Sequence, residues 1–364
     1  MKKQRLIKDG GMDMENDELY DITIIGAGPA GLFSAFYSGL REMKTKVLEC
    51  HPILGGKLNL YTEKMIWDVG GLPPLPGGKL VEHLVQQAKT FHPMIKTNEK
   101  IVSIDKNEAG HFILTAENGA IHYSKTVVLA IGWGILKPKK IELTDVEKFE
   151  KTNLNYTIQN PQSLKGKQVL LSGGGNSAVD WANLLEPIAD SVHLVYRKDE
   201  LKGHEAEVSK LLASKVKCHF NQTIEAFIPD ESDTKIAKVQ LTDSQSGATQ
   251  FIEIDEVVIN HGYEEESTIF KQNTVGLKQK DNYYIEISPA GISNVPGIFA
   301  AGDVVHHEGK LHLIAGAFQD AANAVNQAKL YLDPTAHSHA AVSSHNDKFT
   351  DQNKVLVEEF FYNE

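Results

Sequence analysis

The sequence predicts an α/β protein of two three-layer units, the second inserted into the first. Three observations carry this. A strand–glycine turn–helix pattern occurs at "YDITIIGAGPAGLFSAFYSGL", it returns at "KGKQVLLSGGGNSAVDWANLLEPI", and a late apolar strand, "VPGIFAAGDVV", runs into Gly302-Asp303. At 364 residues and 41% hydrophobic composition, the chain can fill two cores.

In the first pattern Ile22, Ile24 and Ile25 form a buried strand, and Leu32, Ala35 and Phe36 mark the apolar side of the helix. Between them Gly26, Gly28 and Gly31 complete G-x-G-x-x-G, with Ala30 inside the motif. Gly26 permits the tight turn, Gly28 lets backbone approach a pyrophosphate, and Gly31 lets helix and strand pack closely. The next strand, "TKVLE", ends in Glu49, where a carboxylate accepts hydrogen bonds from a ribose diol. The unit reads as a Rossmann-like dinucleotide fold.

In the second pattern Gly173, Gly175 and Ala178 give G-x-G-x-x-A, with Asn176 and Ser177 opening the helix. Its following strand, "SVHLVY", is succeeded by Arg197, Lys198 and Lys202 in "RKDELKGHE", with Arg197 at the place of the acid. Cations there attract the 2′-phosphate of NADP, which a carboxylate would repel. Two such folds imply two nucleotides. The expected order is a leader (1–17), a first domain part (18–136), an inserted NADP domain (137–290), a second part of the first domain (291–334) and a C-terminal extension (335–364).

Composition narrows the function. A net charge of −11 argues against a nucleic-acid partner. Apolar runs fall short of the roughly 18 residues of a transmembrane helix, and the basic start lacks an apolar core, so a cytoplasmic protein is expected. The two cysteines, Cys50 and Cys218, are far apart in sequence, so no disulfide framework is expected. His337, His339 and His345 in "DPTAHSHAAVSSHND" do not read as a metal site, and no metal is assigned.

From Asp21 onward the chain resembles the thioredoxin-reductase-like flavoprotein disulfide reductases, and most nearly the thioredoxin-reductase-type ferredoxin/flavodoxin–NADP⁺ reductases. The resemblance rests on "GLFSAFYSGLR", "LGGKLNLYTEKMIWDVGGLP", "GGGNSAVDWANLLEPIA", "RKDELKGHE", "VVINHGY" and "AAGDVVHHEGKLHLIAGAF". Thioredoxin reductase carries C-x-x-C ahead of its second Rossmann strand. Here that region reads "NLNYTIQNPQSLKGKQV", without cysteine, so reduction through an internal dithiol is excluded.

The resemblance implies FAD in the first unit and NADP(H) in the second, a homodimer, and hydride transfer from NADPH to FAD. Electrons then pass singly to a ferredoxin or flavodoxin-like carrier. The cofactors carry this reaction, so no protein acid or base is nominated. On FAD it implies Glu49 at the adenosine ribose, Lys57 where the family usually has Gln, and Tyr61 stacked on the flavin. It also implies Ile101 through its backbone, Leu136 beside the flavin, and Asp303 as the Gly-Asp carboxylate. Trp67 reads as packing. The helix opened by "LHLIAGAF" should aim N–H groups at the flavin. In the extension, which covers the flavin, Val342 stands where the family usually has His, followed by Ser343 and Ser344. An acidic carrier would need a local basic patch such as Lys137–Lys140 on this acidic protein. Two other readings share the chain: a reductase of a small disulfide or a quinone, and a redox-sensing flavin-binding regulator.

Overall fold

The computed structural model describes residues 18–158, 160–266, 274–281, 283–341 and 346–362; for Leu136, Glu265 and Glu266 it describes the backbone. The chain divides into two compact units: Ile135–Glu266, and the described residues on either side of it.

In the first unit, alternation along the strands decides the layers. Leu19–Ile25 lies between Thr45–Leu48 and Ile121–Leu129, all parallel. Met94–Lys96 extends one side, and the late strand Ile298–Ala300 pairs in parallel with Val127–Leu129. One sheet face, with Ile22, Ile24, Val47 and Val128, packs against the helices Pro29–Leu40, Gly77–Ala88 and Ile314–Leu332. The other, with Ile25, Leu48, Val127 and Leu129, meets Ile104, Phe112 and Leu114 of the antiparallel strands Ile101–Lys106 and Phe112–Ala116. Period-two side-chain alternation thus fills two cores from one sheet.

The second unit repeats the plan. Its parallel sheet runs in the order Leu154–Asn155, Glu256–Ile259, Gln168–Ser172, Ser191–Tyr196, Lys217–Phe220. Val169, Leu171, Val192 and Leu194 face the helices Asn176–Leu185 and Glu205–Leu212. Leu170, Val195 and Val257 face a three-stranded antiparallel sheet, Gln222–Pro229, Ile236–Asp243 and Thr249–Glu253. The unit's two ends form one antiparallel ribbon, with Ile135 opposite Glu266.

The inserted unit therefore ends well before the expected residue 290. Tyr284–Glu286 pairs in parallel with Val305–His306, and the Tyr283 hydroxyl donates to the Gly132 carbonyl, so this segment is built into the first unit. Trp67 corrects another expectation. The residue is 75% exposed and joins no core cluster among the described residues. Among the described residues no helix is long and apolar enough to cross a membrane.

Candidate dinucleotide sites

At the first glycine turn, Gly26 takes φ +99°, and a Cβ there would stand 2.5 Å from the Ala130 carbonyl oxygen. A Cβ on Gly31 would stand 1.9 Å from the Gly26 carbonyl oxygen, so this glycine holds helix against strand. Gly28 differs, because its nearest neighbour would be the Gly56 Cα at 3.8 Å. That leaves room for a diphosphate to approach the backbone at the start of the Pro29–Leu40 helix, where no side chain caps the N–H groups. Ala30 is buried against Gly302, whose added Cβ would lie 2.9 Å from it. The first turn and the late Gly-Asp turn are thereby one structure.

Glu49 is buried at the end of its strand. Its Oε2 accepts from the Ala27 N–H at 2.7 Å and its Oε1 from the His51 N–H at 2.9 Å. The Cys50 thiol donates to the same carboxylate, and burial followed by the Glu49 charge pushes its pKa well up. Glu49, Cys50 and His51 bring ligand atoms within 4.8 Å of one another, but the carboxylate is already engaged and the thiol is held protonated. Ile101 is a buried core residue at the start of its strand, paired with Ala116. Leu136 pairs through its backbone with Glu265.

Asp303 sits in a cluster that the sequence did not announce. Its Oδ2 accepts from the Trp133 indole N–H at 3.0 Å, and His312 Nδ1 stands 3.7 Å from Oδ1. Trp133 stacks on Tyr283, and Lys57 Nζ lies 5.7 Å from the indole centre. Tyr61 is half-buried; burial, then the charges of Asp303 and Asp68, push its phenol pKa up, so it is a neutral ring on the same side. The structure thus brings Tyr61, Lys57 and Asp303 together with Trp133 and His312. The Ile314–Leu332 helix begins beside them without a side-chain cap. Val342 and Ser344 lie outside the described residues.

The second site is a cleft of about 810 Å³ in the inserted unit. Gly173 abuts the Asn260 carbonyl, where a Cβ would stand 2.4 Å away, whereas a Cβ on Gly175 would meet nothing within 4 Å. Gly175, Asn176 and Ser177 are exposed at the helix start, and Ala178 is buried beneath them. Gly174, outside the expected motif, lies under the Tyr196 ring, which a Cβ there would meet at 2.4 Å and have to displace.

Two hydrogen bonds pin the basic loop over this turn. The Lys202 N–H donates to the Gly174 carbonyl at 2.7 Å, and the His204 N–H to Asn176 Oδ1 at 2.9 Å. Arg197, Lys198 and Lys202 line the cleft together with His261. His261 Nε2 bonds Ser172 Oγ at 2.8 Å; burial and the nearby Arg197 lower its pKa, so it is neutral. Asn260 Oδ1, also at the cleft, is buried with no hydrogen-bond partner among the described residues. An open glycine turn, an orphan acceptor and clustered cations fit a phosphorylated dinucleotide.

Comparison with known proteins agrees. Residues 20–328 match the family described as pyridine nucleotide-disulphide oxidoreductase. The chain belongs to that family. Among curated relatives of this pyridine nucleotide-disulphide oxidoreductase, ferredoxin–NADP reductase 1 of Bacillus licheniformis is 55% identical over 348 residues, covering 96% of this chain and 100% of its own. Ferredoxin–NADP reductase 2 of Exiguobacterium sibiricum is 53% identical, over 95% and 98% of the two chains. Thioredoxin reductase of Lactococcus lactis shares the fold, with a TM-score of 0.69 at 23% identity over 86% of this chain and 99% of that one. So does bacillithiol disulfide reductase of Staphylococcus aureus, with a TM-score of 0.64 at 17% identity over 87% and 99%. What sets this member apart from a dithiol enzyme is its cysteines. Cys50 and Cys218 lie in different units, and burial raises the pKa of both thiols.

Proposed function

We propose that the chain uses NADPH to reduce FAD and delivers the electrons to a ferredoxin or flavodoxin-like one-electron carrier. One observation carries the reading: each unit holds a glycine turn open to a phosphorylated ligand, and neither holds a dithiol. Near-full-length identity above 50% to ferredoxin–NADP reductases supports it. FAD supplies the step from paired to single electrons when bound. The chain's own work is to seat the diphosphate at Gly28, hold the ribose at Glu49, present Asp303 and Tyr61, and select NADP through Arg197, Lys198 and Lys202.

The basic patch expected for an acidic partner is thinner than the sequence suggested. Lys140 pairs with Glu150 at 2.8 Å, and Lys139 and Lys140 line the dinucleotide cleft. A homodimer belongs to the same reading. The described part of the extension is fastened at the far end of the Pro29–Leu40 helix from Gly28. Arg41 donates to the His337 carbonyl, Lys348 pairs with Glu42, and Phe349 packs on Phe91. Twelve residues of helix span roughly 18 Å, so these parts do not cover the chain's own glycine turn. Val355, Leu356, Phe360 and Phe361 are exposed on the terminal helix, as expected of a segment that covers the flavin of a second copy. In a cytoplasmic dimer, Val342→His would then alter the flavin spectrum.

The deciding experiment is NADPH-driven turnover with purified flavodoxin or ferredoxin beside a small disulfide and a quinone. Rapid reduction of the protein carriers supports the reading. Turnover confined to the disulfide or quinone sinks it, and no turnover with any acceptor favours a regulatory flavin-binding role.

A further inference from the structure

Beneath the Gly302–Asp303 turn lies a buried group that the proposed reaction does not use. Asp320 is 5% exposed, on the inward face of the Ile314–Leu332 helix. Its Oδ2 accepts from the Gly302 N–H at 3.2 Å and from Lys310 Nζ at 2.5 Å; its Oδ1 faces His307 Nε2 at 3.2 Å. Lys310 is itself buried, with 4% of its side chain exposed.

Gly302 is buried at φ +87° and pressed against Ala30, and a buried N–H needs an acceptor. Asp320 supplies that acceptor. The bond fixes the peptide that leads directly into Asp303, while Trp133 and His312 hold only the end of the Asp303 side chain. The Lys310 contact closes the loop between the turn and the helix, with Gly316 allowing the Leu311 carbonyl to pass where a Cβ would stand 2.2 Å away.

We infer that Asp320 is a positioning residue for the FAD site: its bond to the Gly302 N–H sets the place of Asp303. The inference rests on the assignment of FAD to this unit. It separates the carboxylate's role as acceptor from its role as a charge, because the Gly302 bond needs only an oxygen, whereas Lys310 answers the charge.

The test uses apo-protein prepared from the full chain and FAD titration followed by flavin fluorescence. Asp320→Asn with Lys310→Met removes the buried charges but keeps an oxygen for Gly302, and it should bind FAD within about threefold of wild type. Asp320→Leu with Lys310→Met is equally uncharged but leaves Gly302 unpaired, and it should weaken binding by about tenfold or more and shift the bound flavin's visible spectrum. NADP⁺ binding, which belongs to the other unit, should be unchanged in both. Equal FAD affinity in the two double variants overturns the inference. If the Leu variant does not fold, Lys310→Met alone decides: it keeps the Gly302 bond, so a tenfold loss of FAD affinity overturns the inference and a loss below about threefold supports it. A wild-type apo-protein that binds NADP⁺ but no FAD overturns the FAD assignment itself, a result distinguishable from either of these.

Discussion

Lys46 makes a quantitative prediction possible. It is fully buried on the Thr45–Leu48 strand, with Nζ 4.1 Å from the Tyr20 ring centre and 3.5 Å from His122 Nδ1. His122, also fully buried, faces Glu99 through Nε2 at 3.0 Å. Burial lowers the His122 pKa, so a neutral imidazole links ammonium to carboxylate, its proton on Nε2. Burial, and then the charge of Lys96, bring the lysine's own pKa down to about 8, against the pull of Glu18 and Glu99.

A lysine at about 8 when folded and about 10.5 when unfolded binds fewer protons in the folded state between those values, so stability must rise with pH through that window. Linkage puts the penalty at about 3 kcal/mol at pH 7.5 and about 1 kcal/mol at pH 10. Lys46→Met abolishes this contribution. The wild type should therefore gain about 2 kcal/mol relative to Lys46→Met between those two pH values. Urea unfolding by tryptophan fluorescence measures it. A Trp181→Phe background leaves Trp67 and Trp133, both in the same unit as Lys46, as reporters. If the difference between the two proteins does not change with pH, Lys46 is not the buried cation described here.

Other outcomes follow from the sites. Arg197→Ala should raise the KM for NADPH about 10- to 100-fold, as for loss of a charge-assisted contact, with little change for NADH; equal effects would refute the cleft assignment. Gly31→Ala drives a methyl to 1.9 Å from the Gly26 carbonyl oxygen, so the unit should lose on the order of 3 kcal/mol and its FAD affinity together. Wild-type melting of that variant would contradict the packing. In the inserted unit, His193 Nδ1 and His219 Nε2 lie 3.0 Å apart; burial first, then His219, lowers the His193 pKa to about 4. Stability from this pair is present above pH 6.5 and should fall by up to about 3 kcal/mol toward pH 4. Unfolding midpoints at pH 7 and pH 4.5 should differ less once both histidines are replaced by Gln.

What could be read in advance was local. Gly26 and Gly31 obey constraints set by a strand, a turn and a helix adjacent in sequence, so the motif states its own geometry. Arg197, Lys198 and Lys202 were legible because their distance from the strand end is part of the fold. Trp133 was not, because "GWG" looks like a loop and its partner Asp303 is far along the chain. Lys46 follows the alternation of an ordinary strand; only the arrival of His122 and Glu99 from other elements makes it interior. The end of the inserted unit was misplaced for the same reason. Nothing in "YIE" declares that Ile285 will lie beside Val305.

The late strand has a consequence for the order in which the chain is made. Val127–Leu129 waits for Ile298–Ala300, and the whole inserted unit is synthesised between them. At roughly 5–20 residues per second, that interval is on the order of 10–30 s. The inserted unit is one continuous stretch and can close on itself while the sheet around it is still missing its last parallel strand. During those seconds the edge at Val127–Leu129 lacks its partner on the ribosome, although Ile121–Ser124 on the same strand can already pair with Phe112–Thr115, making the nascent first unit the segment most in need of chaperone protection.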